Sequence, residues 1–134
     1  MPDTWPTTIA AALLRRGALV HAMSAVLTVA SLLGGIVLDM GGVRLVAGVV
    51  VVVGLAEFWL AARVAIDADL FAALAGNDFA HFDEAMQKLG LMGDDKAGRP
   101  IEARIRGALQ LLKLQTAFLL LQIAALFAAM LVLR

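Results

Sequence analysis

One carboxylate in this chain of 134 residues has the right type and position to do chemistry inside a membrane. Glu57 lies near the middle of the long apolar segment 43–66. A carboxylate at the centre of a membrane span costs about 2.5–3.5 kcal/mol on insertion scales, so it usually has a partner or a function. Its chemistry would be either hydrogen bonding between helices or the binding of a proton or a cation.

Three further polar residues are expected at a similar depth, measured from the ends of their own apolar segments. They are Ser24, Thr28 and Gln122. With Glu57 they predict one intramembrane polar layer, in which Glu57 is neutral or hydrogen-bonded to Gln122 and a hydroxyl. A purely structural layer is slightly favoured over a proton or cation site, because an ion path usually needs more than one buried charge.

The elements that would position this layer are three apolar segments, at about 17–38, 43–66 and 114–133. Each is long enough to cross a bilayer core, which takes about 20 residues. The chain is 62% hydrophobic with a mean hydropathy of +0.90, whereas soluble domains are about 45–50% apolar. The sequence therefore predicts an all-α integral membrane protein with three transmembrane helices, forming a single domain over 1–134.

The second and third helices are predicted to extend beyond the membrane into a lobe at about 67–113. No Pro or Gly interrupts 55–75, and Pro100 with Glu102 suits the start of the third helix. Between them, a short amphipathic helix is predicted over 77–89. Its apolar face would consist of residues spaced three and four apart, namely Phe79, Phe82, Met86 and Leu89.

The N-terminal segment has two interpretations that the sequence leaves equally open. Residues 9–16, IAAALLRR, could form a separate interfacial helix, with Gly17 as a hinge and its arginines facing anionic lipid. Alternatively, one continuous helix runs from Thr8 to Leu38.

The orientation is predicted from the basic residues. Nine of the 11 Lys and Arg residues fall on the side of the N-terminus and the 67–113 lobe, and the other two are Arg44 and Arg134. The positive-inside rule places the N-terminus in the cytoplasm. In a bacterium the membrane would be the inner membrane, with the C-terminus in the periplasm.

A group of charged residues is predicted to gather where the long helices leave the membrane. The members of this interfacial charge layer are Arg63, Asp67, Asp69, Arg106 and Lys113. Salt bridges that hold the helices in register are the favoured interpretation. Binding of lipid headgroups or phosphate is the alternative.

Small residues recur at helical spacing and predict close packing of helices. Those singled out as packing positions are Ser31, Gly35, Gly54 and Ala61. Packing within one chain is the favoured interpretation, and an interface between copies of the chain is the alternative.

Several functional classes receive no support from the sequence. The chain has no cysteine and a net charge of zero, so thiolate metal sites are excluded and nothing indicates a nucleic-acid partner. His81, Asp83 and Glu84 match no recognised ligand spacing. We expect no catalytic residue, no bound metal and no cofactor.

The predicted architecture resembles that of bacterial diacylglycerol kinase, which also combines three spans, an N-terminal surface helix and acidic residues near the interface. In that family acidic residues recur around an asparagine within a span. The corresponding segment here, AEFWLAARVAID over 56–67, has no asparagine. No site residue is therefore carried over.

Three hypotheses for function remain. The leading one is a non-enzymatic membrane protein that acts through helix packing, as a homo-oligomer or as an accessory subunit of a membrane complex. The second is an oligomeric ion or proton channel, or a transporter component, that uses Glu57. The third is an enzyme acting on lipid headgroups at the cytoplasmic interface. The expected partners are the bilayer with its anionic headgroups and other copies or subunits.

Overall fold

Every regular element that the structure describes is a helix. The structure is a computed structural model, and it describes residues 5–38, 41–74, 84, 87–88, 90 and 100–132. The helices are α1 (Trp5–Arg15), α2 (Gly17–Val37), α3 (Gly41–Leu74) and α4 (Ile101–Val132). The prediction of an all-helical chain with three long apolar helices is confirmed.

The two longest helices are α3, with 34 residues, and α4, with 32 residues. At 1.5 Å per residue each is about 50 Å long, which exceeds a bilayer core of about 30 Å. α4 begins directly after Pro100, whose carbonyl accepts hydrogen bonds from the backbone N–H groups of Ala103 and Arg104. Proline suits this place because its missing N–H group would have no intrahelical partner there.

A row of buried positions that repeats every seven residues runs along α3 and α4 and from α1 into the first half of α2. In α3 the exposed fractions of Val50, Glu57, Val64 and Phe71 are 0, 1, 2 and 3%. Ala108, Gln115 and Gln122 of α4 continue the pattern, as do Ala10, Gly17 and Ser24 on the N-terminal side. A seven-residue repeat keeps one seam of each helix facing its neighbours, as in a left-handed coiled coil. This seam places the polar side chains inside the bundle.

The helices α2, α3 and α4 form an up–down–up bundle. Gln115 bonds to Gly17 and Gln122 bonds to Ser24, with the same sequence separation of 98 residues in both pairs. α2 and α4 are therefore parallel. Against α3, Gly35 lies beside Ala47 and Gly17 lies beside Val64, so that α3 is antiparallel to α2.

The N-terminal segment combines features of both predicted interpretations. A turn at Arg16 separates α1 from α2, and the Arg16 backbone N–H donates to the carbonyl of Leu13 at 3.0 Å. α1 nevertheless packs lengthwise against α3, as a continuous helix would. Its buried residues pack with those of α3 and α4 in one apolar cluster of Ala10, Ala11, Leu14, Val64, Ala68, Phe71 and Ala108. α1 is thus a separate helix that packs on the bundle through one face, with Ile9 and Leu13 exposed on another.

Only a few residues of the predicted 77–89 helix and its flanks are described. Lys88 Nζ lies 2.7 Å from Glu84 Oε1, one turn away. Gly90 has a φ of +68° and its N–H donates to the Gln87 carbonyl at 2.9 Å, a backbone conformation that favours glycine at the end of a helix. The predicted apolar face of this helix lies outside the described residues, as do His81 and Asp83.

The exterior of the bundle is apolar over most of its length. More than half of the surface of Val26, Val52 and Leu120 is exposed, for example. Three helices are long and apolar enough to cross a membrane, over Pro6–Val37, Gly41–Ala72 and Ile101–Leu131. An apolar exterior around a partly polar interior is compatible with an integral membrane protein.

Candidate functional site

The Glu57 carboxylate is at the centre of a hydrogen-bond network that joins three helices. Its side chain is 1% exposed. Oε1 accepts a hydrogen bond from Gln115 Nε2 of α4 at 2.8 Å, and Oε2 lies 3.1 Å from His21 Nδ1 of α2. Both carboxylate oxygens are therefore engaged by side chains from other helices. We call Glu57, His21 and Gln115 the acidic layer.

Gln115 holds the acidic layer to the backbone of α2. Its Nε2 group also donates to the Gly17 carbonyl at 3.0 Å, so that one amide bridges α2 and α3. Gly17 permits this approach, because a Cβ there would lie 3.0 Å from Gln115 Oε1 and 3.1 Å from Val64 Cγ1. Gln115 Oε1 is buried and, within the described residues, has no hydrogen-bond donor.

His21 connects this buried network to the surface. Its side chain is 34% exposed, and its ring centroid lies 5.5 Å from that of Phe58 with the rings tilted by 56°. Nδ1 faces Glu57, whereas no hydrogen bond from the described residues reaches Nε2. The imidazole therefore has one nitrogen on a buried carboxylate and the other free to meet an external group.

A second hydrogen-bond network lies one heptad further towards the C-terminal end of α4 and contains no ionisable group. Ser24 Oγ donates to Gln122 Oε1 at 2.7 Å. Gln122 Nε2 donates to Thr28 Oγ1 at 3.0 Å and to the Val50 carbonyl at 3.2 Å, and Thr28 Oγ1 donates to the Ser24 carbonyl at 2.8 Å. Each polar atom of the Gln122 side chain is satisfied. We call Ser24, Thr28 and Gln122 the neutral layer.

Gly54 is required where the neutral layer meets α3. A Cβ on Gly54 would overlap the Thr28 hydroxyl and would lie 2.8 Å from Gln122 Nε2. Gly35 has a comparable role further along, since a Cβ there would lie 2.7 Å from the Cβ of Ala47. Both glycines therefore serve contacts inside one chain.

The four residues of the predicted polar layer are thus divided between two levels. Ser24, Thr28 and Gln122 are brought together, but Glu57 bonds to Gln115 and His21 and has no hydrogen bond to Gln122. Gln115 and Gln122 are two helical turns apart, or about 10 Å. On α3, Val50 and Glu57 are separated by the same seven residues. Gln122 therefore lies level with Val50, and its Nε2 group donates to the Val50 carbonyl.

Sequence reasoning missed Gln115 and the pairing of His21 with Glu57. The signals were present in the spacing. Gln115 precedes Gln122 by one heptad, and His21 belongs to the same small and polar stripe as Gly17, Ser24 and Thr28. To predict that these residues meet Glu57, one must know which face of each of the three helices turns inward. The lengths of the apolar segments do not give that information.

A cavity of about 390 Å³ borders His21 between the N-terminal helices and α3. Small residues form much of its wall, namely Gly17, Ala18, Ala61, Ala62, Ala65 and Ala68. Arg15 and Asp69 also contribute to its lining. Ala61, one of the predicted packing positions, therefore lies partly open at this groove rather than in a closed core. We call this cavity the His21 groove.

The other predicted packing position, Ser31, borders a second cavity of about 250 Å³ on the far side of the neutral layer. That cavity is lined by α2, α3 and α4, with Gly35 and Ala129 beside Ser31.

The five predicted interfacial charges lie along α3 and α4, but no ion pair joins any two of them. Arg63 instead places its guanidinium over the Trp59 ring, 4.7 Å from the ring centroid. Arg106 Nε donates to the Glu102 carbonyl at 3.4 Å. Asp67 is partly buried, whereas Asp69 and Lys113 are exposed.

No metal centre is seen in the described part of the chain, where no group of three His, Asp or Glu residues could hold an ion. The chain matches no known family model, and neither a curated protein nor a solved structure is significantly similar to it. The fold and the site define the class of the protein as an all-helical bundle with three membrane-length helices and two polar layers inside.

Proposed function

We propose that this chain is an integral membrane protein that acts as a subunit of a larger membrane assembly, either a homo-oligomer or a complex in which it is the accessory subunit. It would act by helix contacts and not by catalytic turnover. The apolar exterior and the polar interior support membrane insertion, since lipid favours this distribution and water opposes it.

The observation that carries the proposal is the half-covered imidazole of His21. In a membrane-inserted bundle, His21 lies inside an apolar span, where an uncovered polar nitrogen facing lipid is unfavourable. Nδ1 is engaged by Glu57, but within the described residues Nε2 has no partner. A helix from another chain, packed over the apolar wall of the His21 groove, would remove Nε2 from lipid and leave the end of the groove that Arg15 and Asp69 line open to water.

The wall of the His21 groove suits such a helix. Ala18, Ala61, Ala62 and Ala65 line it, and small side chains let two membrane helices approach closely enough for backbone and side-chain contacts. By contrast, Gly35 and Gly54 are occupied by contacts inside the chain. The groove is therefore a better candidate for an external interface than the glycine positions.

The proposed orientation places the open end of the groove near the cytoplasmic surface, in the inner membrane if the organism is bacterial. Arg15, Arg16 and Arg63 are exposed on that half of the bundle, where they would meet anionic headgroups.

Two matched substitutions test the proposed interface. Ala62 lines the groove and is exposed, whereas Ala124 is exposed on α4 and lines no described cavity containing His21. Ala62→Leu should fill the groove and raise the Kd of assembly at least about tenfold, which corresponds to about 1.4 kcal/mol. Ala124→Leu should leave it unchanged. Single-molecule photobleaching in liposomes, together with native mass spectrometry from mild detergent, measures both.

A wild-type protein that is monomeric in liposomes and brings no partner through purification would contradict the proposal. Equal effects of Ala62→Leu and Ala124→Leu would also contradict it, because the groove would then have no special role.

A component of a proton or cation transporter is the second candidate function. The contact between the buried Glu57 carboxylate and the partly exposed His21 ring favours it, since intramembrane carboxylates often mark such pathways. In liposomes, flux that depends on a pH or cation gradient and is lost in Glu57→Gln would support transport. Flux equal to that of protein-free liposomes would count against it.

A further inference from the structure

We infer that Glu57 and His21 form a proton-binding site that exchanges with one side of the membrane only, through the His21 groove. The inference rests on the geometry of the acidic layer and does not require the assembly proposed above.

The position of the bound proton follows from the hydrogen bonds of the carboxyl group. Glu57 Oε1 already accepts the N–H of Gln115 at 2.8 Å, so a proton on that oxygen would be directed at a donor. Oε2 faces His21 Nδ1 at 3.1 Å. A proton on Glu57 therefore belongs on Oε2, where the imidazole nitrogen can accept its hydrogen bond.

His21 is placed to relay a proton to that oxygen. Before uptake, Glu57 is a carboxylate and His21 is a neutral imidazole with its hydrogen on Nδ1. A proton from the groove forms a bond to Nε2, the Nδ1–H bond breaks, and that hydrogen bonds to Oε2. Afterwards both groups are neutral, with the imidazole hydrogen on Nε2, and the pair has gained one proton.

The groove provides access from one direction. It reaches His21 and is also lined by Arg15 of α1 and Asp69 of α3, so charged groups lie along the route. From α4 the facing side chain is Gln115, which does not ionise. Lys113 on that helix and Arg63 on α3 are exposed away from the network.

The neutral layer closes the other direction. Ser24 and Gln122 are 0% exposed, and the two polar atoms of the Gln122 side chain are engaged by Ser24, Thr28 and the Val50 carbonyl. About 10 Å of bundle separates this layer from Gln115. A proton taken up on Glu57 therefore leaves by the route through which it entered.

Infrared difference spectroscopy on the full chain in liposomes tests proton uptake. Glu57, Glu84 and Glu102 are the glutamates of the chain, so ¹³C-labelled glutamate gives few signals. On acidification of the medium, the wild type should gain the carbonyl stretch of a protonated glutamic acid. Glu57→Gln should lack this band and Glu102→Gln should keep it. A wild type without the band, or a band that persists in Glu57→Gln, would overturn the inference.

Sidedness is measured on the wild-type fold. Lys88→Cys, in the segment between α3 and α4, gives an exposed label position that reports which way each chain is inserted. Acidifying the side that bears Lys88 should protonate Glu57, whereas acidifying the opposite side should not. Equal responses from both sides would overturn the one-sided site. His21→Asn should slow uptake about 100-fold or more if the imidazole is the relay, and an unchanged rate in a folded variant would remove His21 from the route.

Discussion

The acidic layer and the neutral layer are built on the same plan. In each, a fully buried glutamine of α4 donates through Nε2 to one side chain and to one backbone carbonyl. The two glutamines occupy equivalent positions of one heptad repeat, and glycines of α2 and α3 give them space. The plan positions both glutamines in the seam of the bundle.

The layers differ in what surrounds the glutamine. Gln122 meets two hydroxyl groups, and both its polar atoms are satisfied. Gln115 meets a carboxylate, its Oε1 has no donor in the described residues, and the adjoining His21 opens to a groove. A buried polar layer thus acts as a structural clamp when its groups are neutral and sealed. It becomes a candidate functional site when one group ionises and another is exposed.

The largest expected effect comes from closing the space that the neutral layer needs. Gly54→Leu should destabilise the bundle by about 3 kcal/mol or more, because the new side chain would displace Thr28 and Gln122 in a packed seam. Gly48→Leu on the same helix is the matched control, since a Cβ there meets nothing within 4 Å. Thermal unfolding followed by circular dichroism in detergent compares them, and equal losses would contradict this packing.

The next prediction separates the two layers by the charge of the group that loses its partner. Gln115→Leu removes the N–H donor from the Glu57 carboxylate, and a buried polar group without its partner costs about 1–3 kcal/mol, more when it is charged. Gln122→Leu leaves only neutral groups without their partner and should cost about 1–3 kcal/mol. Gln115→Leu should therefore lose more stability than Gln122→Leu in the same unfolding measurement, and equal losses would contradict the distinction between the layers.

The smallest expected effect concerns one hydrogen bond of the neutral layer. Ser24→Ala removes the donor to Gln122 Oε1, and interhelical hydrogen bonds in membrane proteins contribute about 0.6 kcal/mol on average. Ser31→Ala, on the same helix and without a hydrogen bond to Gln122, should have a smaller effect. Unfolding by steric trapping in bicelles resolves differences of this size. If Ser31→Ala destabilises the bundle as much as Ser24→Ala or more, the hydrogen bond from Ser24 to Gln122 does not contribute the predicted stability.

The sequence predicts the helices well because their signals are local. Apolar length marks the three long helices, and Pro100 marks the start of α4 within one residue. Depth along a span also groups Ser24, Thr28 and Gln122, which hydrogen-bond to one another in the structure. Depth needs only the ends of the apolar segments.

The composition of the acidic layer could not be predicted in the same way. Depth alone places Glu57 near Gln122, although two turns of α4 separate Gln122 from the glutamine that Glu57 contacts. The partner is decided by which face each helix turns inward and by the relative register of α3 and α4. The contacts of the interfacial charges depend on the same rotations, and in the structure Arg63 stacks on Trp59 of its own helix.

Photo-crosslinking in the native membrane tests whether another chain packs in the His21 groove. A photoreactive amino acid is introduced at Ala62 in the His21 groove and, as a matched control, at Ala124 on the exposed face of α4. We expect a defined protein adduct from position 62, either a dimer of this chain or one partner subunit, and only lipid adducts from position 124. No protein adduct at position 62, or the same adducts at both positions, would contradict it.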